Sequence, residues 1–243
     1  MSNENPSERL AQAARELSEK VERLKFGPPV THVYNPLTYA WQAHEEYLRR
    51  FGNSKKHALF LGMNPGPFGM VQTGVPFGEV AAVRDWMEIS SPIGQPKRTH
   101  PKRPILGFDC LRSEVSGQRV WKLFAERFGP AGKFFKDHFV VNYCPLAFCG
   151  ESGANLTPDK LPAAEKDLLF AACDEHFQKV VEILKPEWVI GVGAFARARA
   201  EVACEKQDVM IGQILHPSPA SPAANRGWAE AVTKQLVELK VWK

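Results

Sequence analysis

The sequence predicts an α/β fold, a central parallel four-stranded sheet flanked by helices on both faces. Three observations carry this expectation. Short continuous apolar runs stand at Ala58–Leu61, Phe139–Val141, Trp188–Ile190 and Val209–Ile211, the last continuing to Leu215. Such runs belong to strands buried on both faces. They alternate with segments of helical period, the pattern of parallel sheets with crossover helices. Three of the runs lead straight into loops of unusual composition, at 62–67, 142–145 and 216–222. Ligands of open parallel sheets bind beyond the carboxyl ends of the strands, so these loops are expected to converge on one cleft.

Taken in order, Leu10, Ala13, Ala14, Leu17, Val21 and Leu24 fall at helical spacing, with Ser7 available as N-cap and Gly27-Pro28-Pro29 as the stop. Residues 1–26 therefore read as an N-terminal helical extension and 27–243 as a single catalytic-sized domain. A second helix is expected over Leu37–Arg49, a short one near Glu79–Met87 within the irregular stretch 69–104, and others over Val120–Phe128, Pro162–Leu184, Ala194–Glu205 and Asn225–Leu239. There is no internal repeat and no low-complexity segment.

A chain of 243 residues with 44% hydrophobic composition suits one globular domain of this kind. Its net charge of +4 and pI near 8.8 are compatible with a polyanionic partner without demanding one. The five cysteines, Cys110, Cys144, Cys149, Cys173 and Cys204, are odd in number and none stands at Cys-x-x-Cys spacing. That argues against a structural zinc site, an iron–sulfur cluster or a secreted disulfide framework, and for buried thiols. No apolar run approaches the roughly 18 residues of a membrane span, and Met1–Pro6 is polar without a signal pattern. The expectation is a soluble intracellular protein, without metal or cofactor.

Each of the three loops has a structural and a chemical reading. Gly62-Met63-Asn64-Pro65-Gly66-Pro67-Phe68-Gly69 makes a rigid turn that a ligand can approach closely, or simply a tight connection; Asn64 could orient a water. Asn142, ending a buried run, could cap the turn, or use its one acceptor and two donors on an imide edge such as that of uracil. His216-Pro217-Ser218-Pro219-Ala220-Ser221-Pro222 places a histidine, structural or catalytic, at the head of a stiff Pro/Ser ridge. Gly191-Val192-Gly193-Ala194-Phe195-Ala196 has the spacing of a dinucleotide-binding turn, but no acidic residue ends a following strand at the usual distance, so helix–strand packing explains these glycines better. The basic run Lys97-Arg98-Thr99-His100-Pro101-Lys102-Arg103 reads as a solvated face or a phosphate track.

Together the loops resemble the single-strand-selective monofunctional uracil-DNA glycosylase family. The likeness runs through Phe68–Gly78, Arg84-Asp85-Trp86, Ser113–Gly117, Asn155–Pro158 and Asn225–Trp228, covering roughly Leu59 to Leu239. It implies the uracil-DNA glycosylase-like fold and a monofunctional glycosylase of base excision repair that flips out uracil and hydrolyses its bond to the sugar, with single- or double-stranded DNA as partner and the chain acting as a monomer. It implies further that Asn64 positions the water, His216 contacts uracil O2, Asn142 reads the Watson–Crick edge, Phe77 stacks on the base, and Met63 and Gly66 line the pocket. Pro217, Ser218, Pro219, Ala220, Ser221, Asn225 and Arg226 would meet the DNA. The chain departs from the family at Ala220, where relatives carry a wedging arginine, so strand preference does not carry over. Gly66 stands where the main uracil-DNA glycosylases have a tyrosine beside C5 of the base. Open space there implies acceptance of a 5-hydroxymethyl group; deaminated purines such as xanthine are further candidate substrates.

The roles suit the chemistry. Departure of the base leaves negative charge on it, which a donor at O2 stabilises in a dry pocket. No lysine stands in the three loops to attack the sugar, so water is the expected nucleophile. The rivals are a mismatch-specific thymine/uracil glycosylase, against which His216 argues, a non-catalytic DNA-binding module, and a nicotinamide enzyme built on Gly191 and Gly193.

Overall fold

A computed structural model describes residues 5–243 of the chain; of the polar N-terminal stretch, residues 1–4 lie outside the described residues. The first helix, α1 (Pro6–Glu22), buries Leu10, Ala13, Ala14, Leu17 and Val21 as their spacing predicts. Its N-cap is Asn5, whose side chain accepts from the Ser7 amide at 3.2 Å, rather than Ser7 itself. Pro6 then takes the first helical position, where its missing N–H costs nothing. The apolar face of α1 joins the main core of the rest of the chain, packing chiefly on the later helices Trp41–Phe51 and Ala163–Leu184.

Strand β1 (His32–Tyr34) follows, then α2 (Pro36–Tyr39) and α3 (Trp41–Phe51), separated at Ala40, so the single helix expected over 37–49 is two. Strand β2 (Ala58–Gly62) is fully buried and leads to the short α4 (Met70–Thr73). The segment expected as a helix near 79–87 is one π-helical turn, Ala82–Trp86. Helix α5 (Val115–Phe128) starts five residues before the expected position, and α6 (Ala131–Asp137) was not anticipated. Strand β3 (His138–Asn142) precedes two short strands, β4 (Ala147–Cys149) and β5 (Asn155–Leu156). The chain ends with α7 (Ala163–Leu184), β6 (Trp188–Val192), α8 (Ala194–Ala203), β7 (Met210–Ile214), α9 (Pro222–Asn225) and α10 (Trp228–Glu238).

The four apolar runs form the expected parallel sheet, in the order β3-β2-β6-β7. Helices cover both faces. A Cβ on Gly191 of β6 would lie 2.3 Å from the Arg197 amide of α8, whereas Ile190 points with Gly212 toward Leu239 beyond α10. Successive strand residues face opposite ways, so α8 and the α10 end of the chain lie on opposite faces. Strands β1, β4 and β5 form a second, antiparallel sheet beside the loop ends, with Val33 opposite Phe148 and Phe148 opposite Leu156.

Candidate active site

The three loops leave the same end of the sheet because their strands are parallel. Gly62 ends β2 opposite Asn142, the end of β3. The ladder continues beyond them: Tyr143 donates to the Gly62 carbonyl and Cys144 to that of Met63, both at 2.9 Å. The first and second loops are thus one hydrogen-bonded unit. Across β6, the Gly193 amide donates to Ile214 at 2.9 Å and holds the start of the third loop.

Asn64 donates from Nδ2 to the Leu146 carbonyl at 3.2 Å. That bond orients the amide and leaves Oδ1 as an acceptor. Asn142 is buried and its Nδ2 meets the Met70 sulfur at 3.3 Å, a weak acceptor that a better one can replace. The Phe77 ring and Asn142 Oδ1 lie over the same glycine: a Cβ on Gly62 would be 2.3 Å from Oδ1 and 2.6 Å from the ring. Any side chain at 62 would fill the space between the polar edge and the flat face. Phe77 adopts φ of +53°, an uncommon conformation for a residue with a side chain, and its carbonyl accepts from the Trp121 indole at 2.9 Å.

His216 lies beside Gly193, whose φ of +92° suits glycine; a Cβ there would be 3.0 Å from the histidine Cβ. The Ser218 amide donates to His216 Nδ1 at 3.1 Å. Nδ1 therefore carries no proton, and the neutral ring has its N–H on Nε2. Burial holds the imidazole below its ordinary pKa and reinforces the neutral state. Gly191 and Gly193 thus serve helix packing and the seating of His216.

The ridge after His216 is anchored by Arg119 of α5, which sequence reasoning missed. Its guanidinium donates to the Pro217 carbonyl at 2.9 Å and to Asn225 Oδ1 at 2.8 Å. Asn225, itself exposed, donates to the Pro219 carbonyl at 2.9 Å, so its amide ties the ridge together. Pro219, Ala220 and Arg226 are exposed, Ser218 and Ser221 half-buried, and Pro217 buried. Nothing local marks Arg119, which reads as one more polar residue on a helix face.

Glu114 was missed too, and it corrects the expectation at Gly66. A Cβ on Gly66 would lie 1.7 Å from Glu114 Oε1, and one on Gly69 1.8 Å from Oε2. The space in front of Gly66 is filled by a carboxyl group. Burial, and secondarily Glu79, push that carboxyl up to about 7. The three glycines that share this carboxyl, Gly66, Gly69 and Gly117, give no sign of it in the sequence, because Glu114 lies some 45 residues from the first two.

The basic run divides by role. His100 and Arg103 hold the turn before β5, through Nε2 to the Glu151 carbonyl at 3.0 Å and Nε to that of Gly153 at 2.7 Å. Lys97 and Arg98 are exposed on the rim of a cleft of about 710 Å³, also lined by Leu24, His32, Tyr39 and Leu146. Leu146 is the residue whose carbonyl holds Asn64, so this cleft adjoins the site. All five cysteines are free and buried. Among the described residues, no cluster of His, Cys, Asp and Glu could hold a metal ion, and no helix is long and apolar enough to cross a membrane.

Residues 49–239 match the family model of the uracil DNA glycosylase superfamily. A mouse protein (Mus musculus) named single-strand selective monofunctional uracil DNA glycosylase is 47% identical over 225 residues, 92% of this chain and 81% of the mouse protein. The rat protein (Rattus norvegicus) of the same name is 48% identical over the same shares, and the bovine one (Bos taurus) 45% over 96% and 86%. Among solved structures, that of wild-type Pedobacter heparinus SMUG2 superposes with a TM-score of 0.65 at 18% identity, covering 94% of this chain and 97% of that one, a likeness of fold. With a family model matched over most of its length and relatives near half identical, the chain belongs to the uracil-DNA glycosylase superfamily.

Proposed function

We propose that the protein is a monofunctional DNA glycosylase of base excision repair, releasing uracil from DNA and leaving an abasic site. What supports the reading is that the loops leaving the carboxyl end of one sheet carry Asn64 with its Oδ1 unengaged by the Leu146 bond, Asn142 beside the Phe77 ring over Gly62, and His216 with its proton on Nε2. In this reading the flipped base lies on Phe77, Asn142 pairs with N3 and O4, and His216 donates to O2. Met63 and Gly66 complete the pocket.

Asn64 Oδ1 accepts from a water and aims its oxygen at C1′. As the C1′–N1 bond breaks, its electron pair stays with the base, and the charge on O2 is met by a neutral donor. The water oxygen bonds to C1′ and its proton leaves to solvent. A neutral imidazole suffices, since the uracil anion is a stable leaving group. The buried Lys56 has its ammonium on the Phe135 carbonyl, before the first residue of β2. Eight residues from Asn64 along an extended path, roughly 26 Å at ~3.3 Å per residue, it is too far from the chemistry to form a Schiff base.

DNA meets the protein through the ridge of Pro217, Ser218, Pro219, Ala220, Ser221 and Arg226, with Asn225 shaping it. Lys97 and Arg98 follow phosphates along the adjoining cleft. The enzyme acts as a monomer in an intracellular, DNA-associated setting, nuclear or nucleoid. A mismatch-specific thymine/uracil glycosylase fits less well, because His216 has no role in it.

The test is incubation with single- and double-stranded oligonucleotides bearing uracil, 5-hydroxymethyluracil or xanthine, followed by alkaline cleavage of abasic sites. Strand breaks only after alkali support the reading. DNA binding with no base released would make the protein a binding module, and breaks without alkali would make it a lyase.

A further inference from the structure

The peptide group between Pro217 and Ser218 is engaged at both ends. Its N–H donates to His216 Nδ1 at 3.1 Å, and its carbonyl accepts from the Arg119 guanidinium at 2.9 Å. The peptide is trans, so these two groups point to opposite sides of one rigid plane. Arg119, the peptide and the imidazole thus form a continuous hydrogen-bonded line from α5 to the ring. The ring also rests on Gly193, where a Cβ would lie 3.2 Å from its Cδ2. Arg119 is half-buried, and its other acceptors are the Ser218 carbonyl at 3.4 Å and Asn225 Oδ1 at 2.8 Å. All three are neutral oxygens of the ridge, so the guanidinium charge is directed at backbone and amide dipoles.

The inference rests on the proposed reaction, in which His216 donates from Nε2 to O2 of the leaving base. A hydrogen bond from a charged donor is stronger than one from a neutral donor, and it polarises the group it meets. Electron density drawn toward the Pro217 oxygen makes the Ser218 N–H a better donor to Nδ1. Turning the peptide would free Nδ1 to take the proton, and Arg119 opposes that turn by holding the carbonyl. We propose that Arg119 is a positioning residue for base release, acting through the Pro217–Ser218 peptide to hold His216 in the tautomer and orientation that meet the departing base. It touches no reacting atom. Its two remaining bonds, to Ser218 and Asn225, stiffen the ridge on which the peptide sits.

The experiment makes two measurements on Arg119→Met, which keeps an unbranched stem and removes the charge and the donors. The first is single-turnover release of uracil from a single-stranded oligonucleotide at saturating enzyme, so that DNA affinity drops out. The rate should fall about tenfold, the effect of one lost charge-assisted hydrogen bond and short of losing the ring's donor altogether. The second is the pair of nitrogen-15 chemical shifts of the His216 imidazole in the DNA-free protein above pH 7. In the wild type they should be those of a single Nε2–H tautomer, and in the variant both should move toward the average of two tautomers. If circular dichroism shows the methionine variant unfolded, Arg119→Ala, a strong helix former that only removes atoms, takes its place. A slower rate with unmoved shifts would make Arg119 a DNA contact. Moved shifts with an unchanged rate would make the tautomer irrelevant to release. Either result overturns the proposal, as does a folded variant that matches the wild type in both. A wild type that releases no uracil overturns the glycosylase reading instead, while the shifts still report whether Arg119 governs the ring, so the two failures are distinct.

Discussion

The Ser218 amide donates to His216 Nδ1 at 3.1 Å, and that one bond decides which histidine nitrogen carries the proton. In the proposed reaction Nε2 is then the donor to the leaving base, with its orientation fixed in advance by the Pro-Ser-Pro turn. His216→Ala should lower the single-turnover rate of uracil release by about 10²–10³-fold, as loss of one preorganised donor does. Because the half-buried ring is held neutral, the wild-type rate should lose no ground as pH rises above 7. A rate that falls there in step with an imidazole titration would mean that the cation is the working form.

Asn64 is tethered through its amide nitrogen to Leu146, which leaves its oxygen as the acceptor that the proposed reaction assigns to the attacking water. Asn64→Ala should depress the single-turnover rate far more than the affinity for uracil-containing DNA, since the contact is with the nucleophile. Equal losses in rate and affinity would assign Asn64 to binding.

Among the described residues, the Met70 sulfur is the partner of the Asn142 donors, a weak acceptor that leaves the amide available to a base edge. Asn142→Asp should raise release of cytosine relative to uracil, because the carboxylate accepts from the cytosine amino group and opposes the uracil O4. Uracil preference undiminished in the variant would exclude this residue from base choice.

The parts of this protein that were legible in the sequence are those set by local pattern. The four sheet strands are continuous apolar runs, and their carboxyl-end loops carry Asn64, Asn142 and His216 in plain sight. The second sheet was not legible, since β1, β4 and β5 are two or three residues long and owe their pairing to tertiary context. Helix α5 begins at Val115, a β-branched and exposed residue with no favourable cap before it, so the apolar period at Val120 set the expected start instead. Arg119 and Glu114 were hidden because their partners, Pro217 and Gly66, are remote in sequence and are reached by backbone carbonyls or the absence of a side chain. Neither kind of partnership leaves a composition signal.

Lys97 and Arg98 are the exposed half of the basic run, beside a cleft that shares Leu146 with the site. The double substitution Lys97→Ala/Arg98→Ala should weaken single-stranded DNA binding uniformly across sequences. If each side chain neutralises one phosphate, the slope of log K against log salt should become shallower by about 1.4. Titrations at several salt concentrations give the slope directly. A constant slope would return the run to a solvated surface.

Gly66 tests the geometry of the pocket wall without reference to catalysis. A methyl there would lie 1.7 Å from Glu114 Oε1 and 2.8 Å from its Cδ, so the carboxyl has to move. The obstacle is a side chain rather than backbone, but its other oxygen is wedged against Gly69, which limits the room for retreat. Gly66→Ala should therefore destabilise the fold by about 1–3 kcal/mol, the usual cost of overpacking. In a Glu114→Ala background the added methyl meets no carboxyl, and the cost of Gly66→Ala should largely vanish. The two substitutions are expected to couple by more than about 1 kcal/mol, as residues in direct contact do. A second handle comes from pH. Glu114 has a higher pKa folded than unfolded, so its protonated form favours the native state below about 4.5, and this contribution is lost as pH rises toward about 7. Glu114→Gln should flatten that part of the stability profile. Urea unfolding of the four proteins of the cycle, with the Gln variant followed from pH 4.5 to 8, measures both effects. Additive substitutions would mean that the carboxyl does not rest on Gly66.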